Sequence, residues 1–255
     1  MDLGFSALGF VVGVLVGLTG VGSGSVMTPL LILAGVRPAV AVASDLIFAA
    51  ITKGVGAVQH IRQGTVNLPL VFYLSLGSVP AGLLGGNLFT LLEGGLGPAL
   101  DVWVSRTVAI VLIFLSAFTL FELLRPRTGE PRKPPLPWTG QLKGLTVLLG
   151  AGVGLLVSFT SIGSGSIVAA LLLYAYRIRP SAVVGSDIVQ AVFLAGAAGL
   201  VHATGGRVDP GLVLSLVLGS IPGVLVGSTF CPRMPQRALR GAVAVAILYA
   251  GVRLL

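Results

Sequence analysis

Charged residues are the scarcest class in this sequence. They make up 9% of its 255 residues, where a soluble domain carries about 25%. So few charges cannot cover a water-facing surface. With 55% hydrophobic residues and a mean hydropathy of +1.03, most of the exterior is expected to face lipid. Cysteine is nearly missing: Cys231 alone excludes an internal disulfide and any cysteine-based metal cluster. Two histidines, His60 and His202, make only a weak metal site, so no metal or cofactor is expected. After Asp2 the chain runs straight into apolar sequence, without a basic n-region or a small-residue cleavage site. The first segment therefore reads as a retained helix and not a removed signal peptide.

Catalytic signatures are lacking too. The run Gly22-Ser23-Gly24-Ser25 is no nucleophile elbow, because Val21 stands two before Ser23 and Ser23 two before Ser25. No Gly-Lys-Ser/Thr follows a glycine-rich loop, and the dinucleotide fingerprint fails. The net charge of +8 invites a nucleic-acid reading, but the positions oppose it. Arg125, Arg127, Arg132, Lys133 and Lys143 lie in or beside one Pro-rich linker, and Arg233, Arg237 and Arg240 in another connection. Basic residues gathered between apolar segments are topology signals; a nucleic-acid face needs them on one surface with aromatics interleaved.

What the sequence does contain is apolar segments, at about 3–18, 26–36, 39–58, 68–92 and 102–124. They recur at about 142–160, 167–176, 182–202, 210–228 and 238–254. Between the two sets lies "RPRTGEPRKPPLPWTG", Arg125 to Gly140, with five prolines and no apolar run. The halves are copies. A shift of 141 superposes Gly22-Ser23-Gly24-Ser25 on Gly163-Ser164-Gly165-Ser166. A shift of 142 superposes Ser44-Asp45 on Ser186-Asp187, His60 on His202, Gly64 on Gly206 and Gly77-Ser78 on Gly219-Ser220. The predicted organisation is a first membrane repeat over 1–124, a cytoplasmic Pro/Arg-rich linker over 125–141 and a second repeat over 142–255.

Whether the copies are inverted depends on how often each half crosses the membrane. With the linker cytoplasmic and the mid-segment Lys53 set aside, an odd number of crossings places eleven Lys/Arg inside and leaves four outside: Arg37, Arg106, Arg207 and Arg253. A parallel arrangement splits them eight to seven, so the positive-inside rule favours inverted repeats. The fold class expected is all-α and polytopic, with four to five segments per repeat. Each repeat includes a broken or re-entrant helix pair at its Gly-Ser-rich break, because the second segments are too short to cross a 30 Å core.

Irregular backbone is tolerated at membrane depth only where protein buries it or a wet cavity meets it. The glycines of each break bare peptide N–H groups at the start of a half-helix, where the helix dipole favours an anion. Ser25 or Thr28 is expected to cap the first of these helices, with Pro29 in its first turn. The candidate substrate-binding residues are therefore Gly22, Ser23, Gly24, Ser25, Gly163, Ser164, Gly165 and Ser166, with Lys53 to attract the anion. The plainer reading is that these small residues only permit close helix packing.

The other intramembrane polar residues keep two readings each. Asp45 and Asp187 are either a coupling pair or carboxylates capping the N–H groups of a neighbouring broken helix. Lys53, matched by Ala195 in the second copy, is either a site residue or a neutralising partner for one of them. Gln190, where the first copy has Phe48, is the corresponding asymmetry. His60 and His202 read as helix-end hydrogen-bonding residues or as gating proton sites, on opposite sides of the membrane. Arg37-Pro38 and Arg179-Pro180 mark helix boundaries, with their charges reaching an interface.

The duplicated glycine-rich breaks and the run "ASDLIFAAITKGVGAVQHIRQGTVNL", with its echo in the second half, resemble the TauE/SafE sulfite exporter family over nearly the whole chain. The resemblance implies a multi-pass transporter in the bacterial cytoplasmic membrane. It would move a small sulfur-containing anion such as sulfite, thiosulfate or an organosulfonate, with the lipid bilayer and the anion as its partners. An anion channel is the nearest rival. An intramembrane enzyme is the third reading, and it lacks a nucleophile-and-base arrangement.

Overall fold

The computed structural model describes residues 2–19, 23–124, 139–162, 180–230 and 235–255. Gly22, the whole of Gly163-Ser164-Gly165-Ser166, Arg179 and nearly all of the linker lie outside the described residues. Every regular element among those described is an α-helix. In chain order these are α1 (Leu3–Thr19), α2 (Gly24–Leu33), α3 (Pro38–Arg62), α4 (Leu68–Leu96), α5 (Ala99–Leu124), α6 (Gly140–Thr160), α7 (Pro180–Thr204), α8 (Pro210–Phe230) and α9 (Gln236–Leu254). Six of them, α3 to α8, are long and apolar enough to cross a bilayer. Large apolar side chains such as Leu91, Phe114 and Leu148 point outward with most of their surface exposed, as a lipid-facing exterior requires. The expected all-α polytopic membrane protein is what forms.

Local chemistry explains where the helices begin and end. Prolines stand in the first turns of α3, α4, α7 and α8, where their missing N–H needs no partner. Asn67 caps α4 by accepting from Leu70 N–H at 3.2 Å, and Asp209 caps α8 by accepting from Leu212 N–H at 3.0 Å. Helices α3 and α7 stop in the same way. Gly64 (φ 66°) and Gly206 (φ 71°) take the left-handed conformation. The next residue's N–H then returns to the carbonyl of His60 or His202, at 3.1 Å in each case. These are the duplicated glycines of the sequence, used because a side chain is strained there.

Tertiary contacts exchange helices between the halves. Helix α1 runs parallel along α8: a methyl group on Gly9 would stand 3.0 Å from Leu216 Cα, and one on Gly13 2.9 Å from Ser220 Cα. Helix α6 runs parallel along α4 through the matching pairs, Gly150 with Leu74 and Gly154 with Ser78. Every one of these pairs recurs at an offset of 141 on the glycine side and 142 on the other. Close glycine-backed seams of this kind let two backbones approach and maximise dispersion contact where lipid offers no hydrophobic drive.

Helices α3 and α7 cross antiparallel, with Gly56 against Ile188 near one end and Ile47 against Gly199 near the other. The pair α5 and α9 is likewise antiparallel, with Ser105 near Leu254, Leu112 near Gly251 and Leu123 near Gly241. Ser186 Oγ on α7 accepts from Asn67 N–H at 2.8 Å, and Ser44 Oγ on α3 accepts from Asp209 N–H at 3.2 Å. Each hydroxyl thus ties its helix to the start of the other half's fourth long segment. Ser44→Ala and Ser186→Ala are expected to cost about 1 kcal/mol each. Thermal unfolding in detergent micelles checks this; an effect confined to one of the two would show the ties to be unequal.

Candidate functional site

Helix α2 is only 10 residues long, about 15 Å at 1.5 Å per residue, and Gly24 to Pro29 are all buried. Protein, not lipid, covers this broken helix, which meets the condition for irregular backbone at membrane depth. Its start differs from the sequence reading. Ser23 occupies the N-cap position in helical conformation, with no side-chain cap bond. Ser25 and Thr28 lie within the helix, and Pro29 falls in its second turn. The reason is that the helix begins at Gly24, inside the glycine-serine run, rather than after it. Thr28 Oγ1 is therefore released from capping, and it donates to Asp45 Oδ2 at 2.6 Å.

Gly24 brings the two halves into backbone contact. A methyl group on it would collide with the Ser161 carbonyl and stand 3.4 Å from Asp45 Oδ2. Ser161 ends α6 in the left-handed conformation (φ 57°), immediately before Ile162 and the second Gly-Ser-Gly-Ser run. The first break and the entrance to the second thus meet on the Asp45 carboxyl. That carboxyl does not cap the peptide N–H groups of α2; it is held by the Thr28 hydroxyl. The Ser161 hydroxyl approaches the same carboxyl without hydrogen-bond geometry.

Further polar groups gather along the α3–α7 crossing. Lys53, half-buried on α3, is in electrostatic contact with Asp187 first and Asp45 second. Gln190 Nε2 on α7 donates to Ser78 Oγ on α4 at 2.7 Å, both fully buried. Among the described residues five buried polar atoms here have no hydrogen-bond partner: Ser23 Oγ, Asp45 Oδ1, Ser161 Oγ, Asp187 Oδ1 and Gln190 Oε1. An unsatisfied buried group costs roughly 1–3 kcal/mol, so native proteins keep few of them. Two carboxyls and one ammonium make the charge of this interior unequal.

The histidines lie elsewhere, at opposite ends of the crossing pair. His60 Nδ1 shares a hydrogen bond with Thr65 Oγ1 at 2.9 Å. His202 is fully buried: Nε2 donates to the Ser158 carbonyl at 3.0 Å, and Nδ1 accepts from Arg207 Nε at 3.0 Å. Arg207 continues to Glu93 Oε2 and Thr90 Oγ1, both at 2.8 Å, and lies over the Phe89 ring. Arg37, at the start of α3, pairs with Asp101 at 3.1 Å, and Asp101 Oδ1 accepts from Ala39 N–H at 3.2 Å. The charge at this helix boundary is met by an acid rather than by reaching an interface alone. Among the described residues no group of three metal-ligating side chains forms.

Comparison with known proteins places this architecture. The family model described as "Sulfite exporter TauE/SafE" matches residues 5–254. The chain belongs to the TauE/SafE sulfite exporter family. It is 38% identical over 255 residues to "Probable membrane transporter protein YjnA" of Bacillus subtilis (strain 168), covering 100% of each chain. It is 25% identical over 247 residues to "Probable membrane transporter protein YdhB" of the same strain, covering 96% of this chain and 97% of the other. No solved structure matches the chain. This TauE/SafE protein is thus a multi-pass membrane protein of a transporter family.

Some of the interior of this family member escaped the sequence reading. Ser161 and Thr28 as neighbours of Asp45 were overlooked, though Ser161 stands two before the second glycine-serine run. Ser78 as the partner of Gln190 was missed although Gly77-Ser78 belongs to the duplicated set. The Arg207–Glu93 pair joins residues 114 apart in the chain, and nothing local to either points to the other.

Proposed function

We propose that this protein is a secondary transporter of small sulfur-containing oxyanions such as sulfite, thiosulfate or an organosulfonate. It works by alternating access between two inverted repeats, residues 1–124 and 142–255, in the bacterial cytoplasmic membrane. The observation that carries this reading is the packing of the first break on the end of α6: Gly24 at the start of α2 lies against Ser161, among buried polar atoms without partners among the described residues. A bare helix start offers N–H groups and positive dipole to an anion, and Ser23 adds a hydroxyl. Lys53 offsets part of the charge of the two carboxyls, which would otherwise repel an anion.

Inversion is supported by helix directions. Helices α3 and α7 are matched by the 142-residue shift yet cross antiparallel, and α5 and α9 do the same. An axis lying in the membrane plane produces that relation, whereas one along the membrane normal would make matched helices parallel. The linker 125–141 joins the repeats on the cytoplasmic side by the positive-inside count. Export is the direction in which the inside-negative potential drives an anion, at about 2.3 kcal/mol per charge per 100 mV. The printed family description, a sulfite exporter, and the relatives' names, membrane transporters, are consistent with this reading.

Proteoliposomes test it. Saturable sulfite or thiosulfate flux, accelerated by counterflow, is expected. Ser23→Ala and Lys53→Ala should each lower the initial rate about tenfold, the loss of roughly 1.4 kcal/mol of anion stabilisation. Ohmic single-channel currents would instead make the protein an anion channel. Unchanged rates in both variants would move the site away from the first break.

A further inference from the structure

Asp45 is a buried carboxyl whose charge is only partly met among the described residues. Its side chain is fully buried on α3, and the charge of Lys53 is divided between it and Asp187. One carboxylate oxygen accepts from Thr28 Oγ1 at 2.6 Å, and the other, Oδ1, has no partner among the described residues. An ionised carboxylate taken out of water is costly unless something cancels its charge. Ser161 Oγ approaches the same carboxyl, and Ser23 precedes Gly24, which packs on it; neither hydroxyl has a partner among the described residues, and both residues are more than nine-tenths buried. Helix α6 also ends here, at Ser161, so the negative end of its dipole falls on the same spot.

We propose that Asp45, with Ser23 and Ser161, forms a sodium-binding site, and that its filling raises the affinity of the adjoining anion site. Oxygen donors of this kind suit a hard cation. A single carboxylate among neutral oxygens matches one positive charge and falls short of the ligand charge a divalent ion needs. A proton on Asp45 could bridge Oδ1 to the Ser161 hydroxyl but would leave Ser23 Oγ unmet, whereas a sodium ion can take an oxygen from Ser23 as well. Carboxylates and carbonyls at the C-terminal ends of broken helices serve such ions in other transporters.

In sequence the second copy lacks the hydroxyl that holds the carboxyl: the 141- and 142-residue shifts carry Thr28 onto Ala169 and Ala170. The cation would lie beside the start of α2, where it removes the repulsion between Asp45 and an incoming anion. The linkage to the anion rests on the transporter reading above; the cation site itself does not.

The test is thermal unfolding of the purified full chain in detergent, in sodium, potassium and choline chloride at equal chloride and ionic strength. A saturable rise in Tm is expected in sodium alone. It should vanish in Asp45→Asn, shrink in Thr28→Val and persist in Asp187→Asn. If Asp45→Asn does not fold, Thr28→Val still decides, since the hydroxyl holds the carboxylate in place. Equal stability in all three salts, a sodium effect undiminished in both variants, or a response to pH alone would overturn the proposal.

Sulfite titrations with and without sodium then read the linkage, with affinity about tenfold higher in sodium. A sodium effect without any response to sulfite, thiosulfate or sulfoacetate supports the cation site and counts against the oxyanion reading. Sulfite binding indifferent to sodium leaves the transporter reading standing and overturns the linkage.

Discussion

Gly154→Val will lower the stability of the transporter by about 3 kcal/mol or more. Gly152→Ala, two residues away on the same helix, will leave it unchanged or slightly raised. The contrast follows from what each position faces. A methyl group on Gly154 would stand 2.8 Å from Ser78 Cα and collide with the Ser78 carbonyl, whereas one on Gly152 would meet nothing within 4 Å. The obstacle at Gly154 is backbone, which cannot rotate aside as a side chain can. Accommodating valine requires α6 to back away from α4 along a seam that also includes Gly150 against Leu74. At Gly152 alanine instead recovers up to about 1 kcal/mol of helix propensity. Thermal unfolding by size-exclusion fluorescence distinguishes the two, and a tolerated Gly154→Val would show that the seam can open without loss. The corresponding seam makes the same prediction for Gly13→Val against Ser220.

The second large effect is expected from Arg207→Met. Arg207 is 4% exposed and makes three side-chain hydrogen bonds, to His202, Glu93 and Thr90. Methionine keeps much of the volume over Phe89 but strands the other three groups. Removing one partner of a buried ion pair costs about 3–5 kcal/mol. Glu93 is 32% exposed and can rehydrate, which places the expectation near the lower end, at about 3 kcal/mol. Glu93→Gln, which keeps an acceptor for Nη1, should cost about 1 kcal/mol. Equal losses in the two variants would mean that the charge of Glu93, rather than the set of hydrogen bonds around Arg207, holds this end of α4 to the α7–α8 turn. No copy of this cluster exists in the first half, where Thr65 stands at the position matching Arg207.

Several features of the interior were legible before any coordinates. Low charge and long apolar segments foretold the membrane, and the 142-residue match marked Gly64 and Gly206, although their role as helix ends and the caps at Asn67 and Asp209 emerged only in the structure. The shortness of the second segment foretold α2, although the helix begins at Gly24 and so removes Thr28 and Pro29 from its first turn. What could not be read was the identity of partners. Nothing near Thr28 in the chain points to Asp45, 17 residues on. Nothing near Gln190 points to Ser78, 112 residues away.

By itself the sequence determined that this chain lives in a bilayer, that it is helical, and that its second half copies its first. Hydropathy, capping and duplication are properties of segments, and they survive without knowing which segments touch. Only the tertiary structure decided that α1 lies on α8 and α6 on α4, that Gly24 meets Ser161, and that Lys53 shares its charge with two aspartates. The physical reason is the solvent. In water a helix announces its buried side by an apolar stripe, but in lipid the outward and inward faces are both apolar. The facing of these helices is therefore set by small residues and a few polar ones whose partners lie on other helices, and that pairing exists only once the helices have packed.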